Sequence, residues 1–260
     1  MTEFVFQLSL GLDPWGKREP EDQDVNIILF QTPGTETPVA FWKSWKMSSS
    51  ENCWLEELLS ELSYGGGGKQ VKARVLATYY GSSDLEQEDI TRIMYPRTES
   101  AAHDILSELR KNVPVFLVGH DLGGALMKRI VLEAENQLGR SSEDRYEREH
   151  KFMTNLKSVH LFEPPLFGDG NLSAVECAPT DDRYLPFLRR DKDSGVEHNF
   201  RRLLSEYDLN ISSYNLDRTG TGRDTDMMSL AEEIRTAVLG KRKARDEAAT
   251  SSIQTSSSSC

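Results

Sequence analysis

Cysteine is scarce in this 260-residue sequence. The three cysteines, Cys53, Cys177 and Cys260, are odd in number and show neither C-x-x-C spacing nor the spacing of metal ligands. This pattern argues against a disulfide framework and against a zinc site. A reducing, cytoplasmic compartment is therefore the predicted location, and no metal is expected.

Long apolar runs and excess basic charge are also absent. No stretch approaches the roughly 20 apolar residues that a membrane helix requires, so no membrane span is predicted. With 31 basic and 42 acidic residues the formal net charge is −11, which argues against nucleic acid as a partner. The glycine run in “YGGGGK” (64–69) is interpreted as the end of a helix rather than a phosphate loop, because no Ser or Thr follows the lysine. No cofactor is predicted.

What the sequence does contain is an alternation of short apolar strands and amphipathic helices. The predicted strands are 25–30, 73–81, 113–119, 158–164 and 210–216, and the predicted helices are 52–62, 98–112, 122–139, 198–208 and one that begins near 224. Such alternation predicts right-handed crossovers and a three-layer α/β domain with a mainly parallel sheet. We expect one domain over residues 1–240, followed by a disordered basic and Ser-rich tail over 241–260.

The segment “VGHDLGGAL” (118–126) is the most informative motif. The predicted strand runs directly into G-x-D-x-G-G and then into a helix, which is the context of the nucleophile elbow, usually written G-x-S-x-G. In an elbow the central residue, here Asp121, lies in a strained turn, so Gly119 and Gly123 beside it must be small. The backbone N–H of Leu122 would point to where an oxyanion forms. The motif predicts an α/β-hydrolase fold.

The motifs, taken in order, resemble the lipase-like serine esterase family of α/β hydrolases that is found in fungi, often at the N-terminus of NLR-type receptors. That family has a “DIVFVHGLGG…TW” opening, then “WL…LL”, a strand ending in “YGY”, a “GHSLGGLVVKQAL” elbow and a “FLGTPHRGS” segment. The corresponding stretches here are 24–42, 53–59, 73–82, 119–132, 160–170 and 210–217. The resemblance spans about residues 10–220 and implies an esterase-type fold, in which the last strand is predicted to be missing.

Three functional segments depart from the family pattern. Residues 31–33 read “QTP”, so that Gln31 stands where the family has the histidine of its oxyanion segment. Asp121 replaces the nucleophilic serine, and residues 166–167 read “LF” in place of “HR”. Because the apolar framework is kept while these segments change, the resemblance implies packing without the family's chemistry.

The histidines do not complete a triad. In this fold the chain order is nucleophile, acid, and then a histidine after the last strand. The five histidines are His103, His120, His150, His160 and His198. None follows the strand predicted at 210–216, and we expect them to be structural, with His198 the only late candidate base. Glu163 could form a weak acid–base pair with Asp121, whereas Asp217, near the position of a triad acid, is interpreted as a loop residue.

Two hypotheses follow. The first is a catalytically degenerate esterase that acts by binding an unidentified protein or a small lipid-like ligand. The second is an active hydrolase of esters, epoxides or C–halogen bonds, in which Asp121 is the nucleophile, as it is in α/β-hydrolase dehalogenases and epoxide hydrolases. We favour the first. A truncated gene product would equally explain the absence of a last strand and its histidine loop.

Overall fold

The fold is seen in a computed structural model that describes residues 4–8, 24–31, 54–64, 70–79, 102, 105, 109, 113–138, 152–162, 195–214 and 227–240. Six strands lie within these residues: β1 (Phe4–Leu8), β2 (Val25–Phe30), β3 (Ala73–Tyr79), β4 (Val115–His120), β5 (Leu156–Phe162) and β6 (Asn210–Tyr214). The main helices are α1 (Trp54–Tyr64), α2 (Leu122–Leu138), α3 (Val196–Glu206) and α4 (227–240).

The strands form one sheet in the order β1-β3-β2-β4-β5-β6. Every neighbouring pair is parallel except β1 with β3, which is antiparallel. Because β3 lies on one side of β2 and β4 on the other, the strand order reverses at β2. In open α/β sheets such a reversal leaves a crevice at the carboxyl ends of the strands. The turn after β4 and the end of β2 both lie at this edge.

Both faces of the sheet are apolar, and each is covered by its own helices. Side chains alternate between the two faces along a strand. In β2, Ile28 and Phe30 belong to one core cluster with buried residues of α2 and α3, whereas Ile27 and Leu29 belong to another with buried residues of α1 and α4. Burial on both sides explains why β2 and β4 are mostly apolar in the sequence, with Asn26 and His120 as exceptions.

The predicted α/β class with a mainly parallel sheet is confirmed. The five predicted strands and four of the helices are present with ends shifted by a few residues, and residues 102 and 105 of the helix predicted at 98–112 are helical. β1 was not predicted, and its antiparallel pairing lies at the sheet edge. The predicted tail at 241–260 and the glycine run at 65–69 lie outside the described residues, and the predicted lack of a last strand remains a prediction.

None of the helices in the described ranges has both the length and the apolar character that crossing a membrane requires.

Candidate functional site

The elbow predicted at Asp121 is present as a sharp turn between β4 and α2. β4 ends at His120, and α2 begins at Leu122. Asp121, the single residue between them, has a φ of 49° and is 7% exposed. Few residues other than glycine adopt a positive φ, although aspartate is among the more tolerant ones. The turn is thus strained in the way that a nucleophile elbow requires.

Two backbone hydrogen bonds fix this turn. The N–H of Asp121 donates to the carbonyl oxygen of Phe162 on β5 at 2.9 Å, and the N–H of Gly124 donates to the carbonyl oxygen of Asp121, also at 2.9 Å. The first bond ties the elbow to the neighbouring strand, and the second forms the first turn of α2. Both polar groups of the Asp121 backbone are therefore satisfied.

The glycines around the turn allow backbone segments to approach closely. A Cβ atom built on Gly119 would lie 2.7 Å from the Cα of Gly124, and one built on Gly123 would lie 2.3 Å from the carbonyl oxygen of Phe30. Real Cβ atoms do not approach backbone so closely, so larger residues cannot enter without displacing it. The prediction that Gly119 and Gly123 must be small is confirmed.

The elbow also brings the end of β2 close to the first turn of α2. The Cβ built on Gly123 would lie 2.7 Å from the backbone nitrogen of Gln31, which follows β2 and is 2% exposed. The structure therefore juxtaposes the first turn of α2 with Gln31. Residues 32 and 33, the other two of the “QTP” stretch, lie outside the described residues.

The elbow lies in the positive electrostatic field at the N-terminus of α2, the helix that directly follows it. The N-terminus of a helix carries a partial positive charge and unsatisfied backbone N–H groups. Asp121 immediately precedes α2, so its carboxylate is placed at this positive end. The same end, with the N–H of Leu122, would have stabilised an oxyanion in a serine hydrolase. A carboxylate at this position therefore disfavours formation of a negatively charged oxyanion beside it.

Three of the five histidines lie in the described part of the chain. His160 is completely buried on β5, where Nε2 lies 2.8 Å from Ser158 Oγ and Nδ1 lies 2.9 Å from Tyr214 Oη. Both of its ring nitrogens are thus engaged within the core, as expected for a structural residue. His198 is exposed near the start of α3, and His120 directly precedes Asp121.

The remaining candidates fall outside the described residues: His103, His150, Glu163, Asp217, residues 166–167 and the three cysteines. The predicted pairing of Asp121 with Glu163 therefore stays a prediction. Among the residues that the structure describes, no group of three or more His, Cys, Asp or Glu side chains is arranged to hold a metal ion.

One polar cluster was not predicted from the sequence. Ser158 on β5 and Tyr214 on β6 contact the two ring nitrogens of His160, and Nε2 of His160 lies 3.4 Å from the carboxylate of Glu233 on α4. The sequence signal was the i, i+2 spacing of Ser158 and His160, which places both side chains on one face of the strand. The contribution of Glu233 could not be anticipated, because it comes from a helix 73 positions further along the chain than His160.

No protein-family model matches the chain, and no characterised protein matches it in sequence. Solved structures with a similar backbone include a hyperthermophilic esterase from the archaeon Pyrobaculum calidifontis, at 14% identity over 84% of this chain and 78% of that chain, with a TM-score of 0.46. An arylesterase is similar at 12% identity over 82% and 76% of the two chains, with a TM-score of 0.41. The esterase Est22 is similar at 10% identity over 90% and 80%, with a TM-score of 0.44. With TM-scores below 0.5, none of these similarities assigns an activity to this chain.

Proposed function

We propose that this chain is a catalytically degenerate α/β-hydrolase of the lipase-like serine esterase type, which acts by binding a protein or a small lipid-like ligand in the cytoplasm. The observation that carries the proposal is the carboxylate of Asp121 at the elbow position, at the N-terminus of α2. The order of motifs in the sequence supports the esterase type, and the strained turn at Asp121 supports the hydrolase fold.

The chemistry of a carboxylate at this position supports loss of esterase activity. Attack of Asp121 on an ester would expel the alkoxide and leave an anhydride. If another nucleophile attacked instead, the negative charge of Asp121 would oppose the developing oxyanion at the N–H of Leu122. An alkyl ester formed on Asp121 would need a histidine-activated water for its release. His160 is an unsuitable base, because its two ring nitrogens already contact Ser158 and Tyr214 inside the core.

The test is an activity panel on the purified full chain with p-nitrophenyl esters of short and medium acyl chains, styrene oxide and a haloalkane. We expect the wild type, Asp121→Ala and Asp121→Ser to show equally negligible turnover, and intact mass to show no adduct on Asp121. Asp208→Ala is a matched control, since Asp208 also has a positive φ, 51°, but follows α3 away from the elbow.

Two results would overturn the proposal. Turnover in the wild type and Asp208→Ala that is lost in Asp121→Ala would show that Asp121 is a working nucleophile. Esterase activity gained in Asp121→Ser would show that the rest of the catalytic machinery is intact.

A further inference from the structure

Asn26 is the only polar residue of β2, and its amide group is buried without a hydrogen bond. The strand reads “VNIILF” (25–30), and Asn26 is 1% exposed. Its backbone N–H donates to the carbonyl oxygen of Pro114 at 2.8 Å. Neither Nδ2 nor Oδ1 of its side chain has a hydrogen-bond partner among the residues that the structure describes. Nearly all buried polar groups in proteins are hydrogen-bonded, so this exception requires an explanation.

A buried arginine lies beside this amide at the amino edge of the sheet. Asn26 on β2 is directly opposite Arg74 on β3, and Arg74 is 6% exposed. Two positions further along these strands, Ile28 and Leu76 belong to the core cluster of α2 and α3, so Asn26 and Arg74 share that face of the sheet. Because a guanidinium carries five N–H donors, Arg74 can bind a ligand together with other partners.

The charges at this edge favour an anionic ligand. Lys72, which directly precedes β3, and Arg74 are both positive. The nearby carboxylate of Asp24 accepts a hydrogen bond from the backbone N–H of Lys72 at 2.8 Å. A cation beside Asn26 would be repelled by Arg74, whereas an oxyanion matches the planar fork of donors on a guanidinium. The ligand that fits Asn26 and Arg74 together is therefore an oxyanion.

The amide of Asn26 restricts the kind of oxyanion further. Its Nδ2 carries two N–H donors and requires an acceptor, whereas its Oδ1 requires a donor. A carboxylate or a sulfate ion offers only acceptors at neutral pH. A phosphate ion offers both, because it keeps at least one P–OH group beside its charged oxygens. Since Asn26 and Arg74 are both buried, a free ion fits this position better than a phosphate group on a larger molecule.

We propose that Asn26 and Arg74 form a binding site for a free phosphate ion at the amino edge of the sheet. The charged phosphate oxygens accept hydrogen bonds from Arg74 and from Nδ2 of Asn26, and the P–OH group donates to Oδ1. Asn26 lies four residues before Phe30, which is about 13 Å along the strand from the end of β2 that faces the elbow. The site is thus separate from the elbow and independent of whether Asp121 is catalytic.

Inorganic phosphate, added to the full chain in a neutral, phosphate-free buffer, tests the site directly. Sulfate at the same ionic strength is the control, because both ions stabilise proteins in general by being excluded from their surfaces, but sulfate has no hydrogen to donate to Oδ1. Phosphate should raise the midpoint of thermal unfolding more than sulfate does. Isothermal titration calorimetry should give a dissociation constant about tenfold or more lower for phosphate, which corresponds to one additional hydrogen bond.

Asn26→Leu separates phosphate binding from stability. In phosphate-free buffer this variant should unfold at a higher temperature than the wild type, because an apolar side chain of similar size replaces an unpaired amide. It should bind phosphate about tenfold or more weakly, since the hydrogen bonds of the amide are lost. Asn199→Leu is the matched control, because Asn199 is exposed on α3, and this variant should respond to phosphate as the wild type does.

Four results would overturn the proposal. Equal responses to phosphate and sulfate would indicate a general salt effect, and an unchanged phosphate response in Asn26→Leu would show that the amide does not bind the ion. Tighter binding of glycerol phosphate than of inorganic phosphate would show that the ligand is a larger phosphorylated molecule. A stabilised Asn26→Leu with no phosphate response in the wild type would show that Asn26 binds only water. Should Asn26→Leu fail to fold, the comparison of phosphate with sulfate in the wild type decides alone.

Discussion

The backbone N–H of Asp121 is hydrogen-bonded to the carbonyl oxygen of Phe162 at 2.9 Å. Phe162 is itself fixed on its other side, because its ring stacks on Tyr214 with centroids 4.6 Å apart and meets the ring of Trp54 edge-on at 5.5 Å. The elbow is therefore anchored to an aromatic cluster in the core between the sheet, α1 and α4. Its strained conformation is maintained by this packing rather than by the turn sequence alone.

The effect of an Asp121 substitution on stability should depend on how well the new residue tolerates the positive φ at this position. Asp121→Val should lower the free energy of unfolding by about 1–3 kcal/mol, because a β-branched residue is strongly disfavoured at a positive φ. Asp121→Asn should cost less than Asp121→Val, since asparagine tolerates this φ; loss of the charge at the N-terminus of α2 should cost about 1 kcal/mol or less. Urea unfolding followed by far-UV circular dichroism gives both values. Equal stability of the Val and Asn variants would contradict the strained elbow.

The backbone of β2 approaches Gly123 so closely that a larger side chain there should destabilise the fold. Gly123→Ala should destabilise the fold by about 1–3 kcal/mol, because its Cβ would overlap the carbonyl of Phe30 and force the backbone to move. Gly240→Ala is the matched control: nothing lies within 4 Å of its Cβ, and in α4 it should be neutral or stabilising by up to about 1 kcal/mol. Thermal unfolding measures the stability of both variants. A Gly123→Ala protein as stable as Gly240→Ala would show that the elbow does not pack on β2 in this way.

Arg235 gives a prediction about the attachment of α4 to α1. Its guanidinium is nearly buried and donates both to the backbone carbonyl and to the carboxylate of Glu61, in the last turn of α1. Arg235→Met should lower the free energy of unfolding by about 2 kcal/mol, because a helix-end carbonyl and a partly buried carboxylate lose their donor. Chemical denaturation measures the loss. Arg202→Met is the control, because it removes an exposed ion pair with Glu206 and should leave the denaturation midpoint unchanged. A comparable loss of stability in both variants would argue against a specific role for Arg235.

The strands and helices could be read from the sequence where burial leaves a periodic pattern. β2 and β4 are mostly apolar because both of their faces are covered, and α1 shows apolar residues at helical spacing, namely Trp54, Leu55, Leu58, Leu59 and Leu62. β1 was missed because it is an edge strand, whose pairing with β3 depends on a partner about 70 residues away. Local patterns carry no information about such a pairing.

The candidate site likewise has one part that the sequence could predict and one part that it could not. The elbow could be located from the sequence, because Gly119, Asp121 and Gly123 fall at the spacing of a local strand–turn–helix motif. The polar cluster could not be, since Glu233 meets His160 only after α4 has folded back onto β5. In the sequence alone, His160 is an isolated histidine in a strand and Glu233 one acidic residue among many.

The sequence by itself determined that this protein forms a mainly parallel α/β sheet and that a carboxylate occupies the elbow, because hydrophobic periodicity and turn chemistry act over a few residues. Only the tertiary structure decided that Phe162 anchors Asp121, that Gly123 lies against β2, and that His160 is engaged by Ser158, Tyr214 and Glu233. Except for the pair Ser158 and His160, these contacts join residues that are about 40 to 90 positions apart in the sequence. These contacts form because the helices cover both faces of the sheet, and that arrangement depends on the packing of the whole chain.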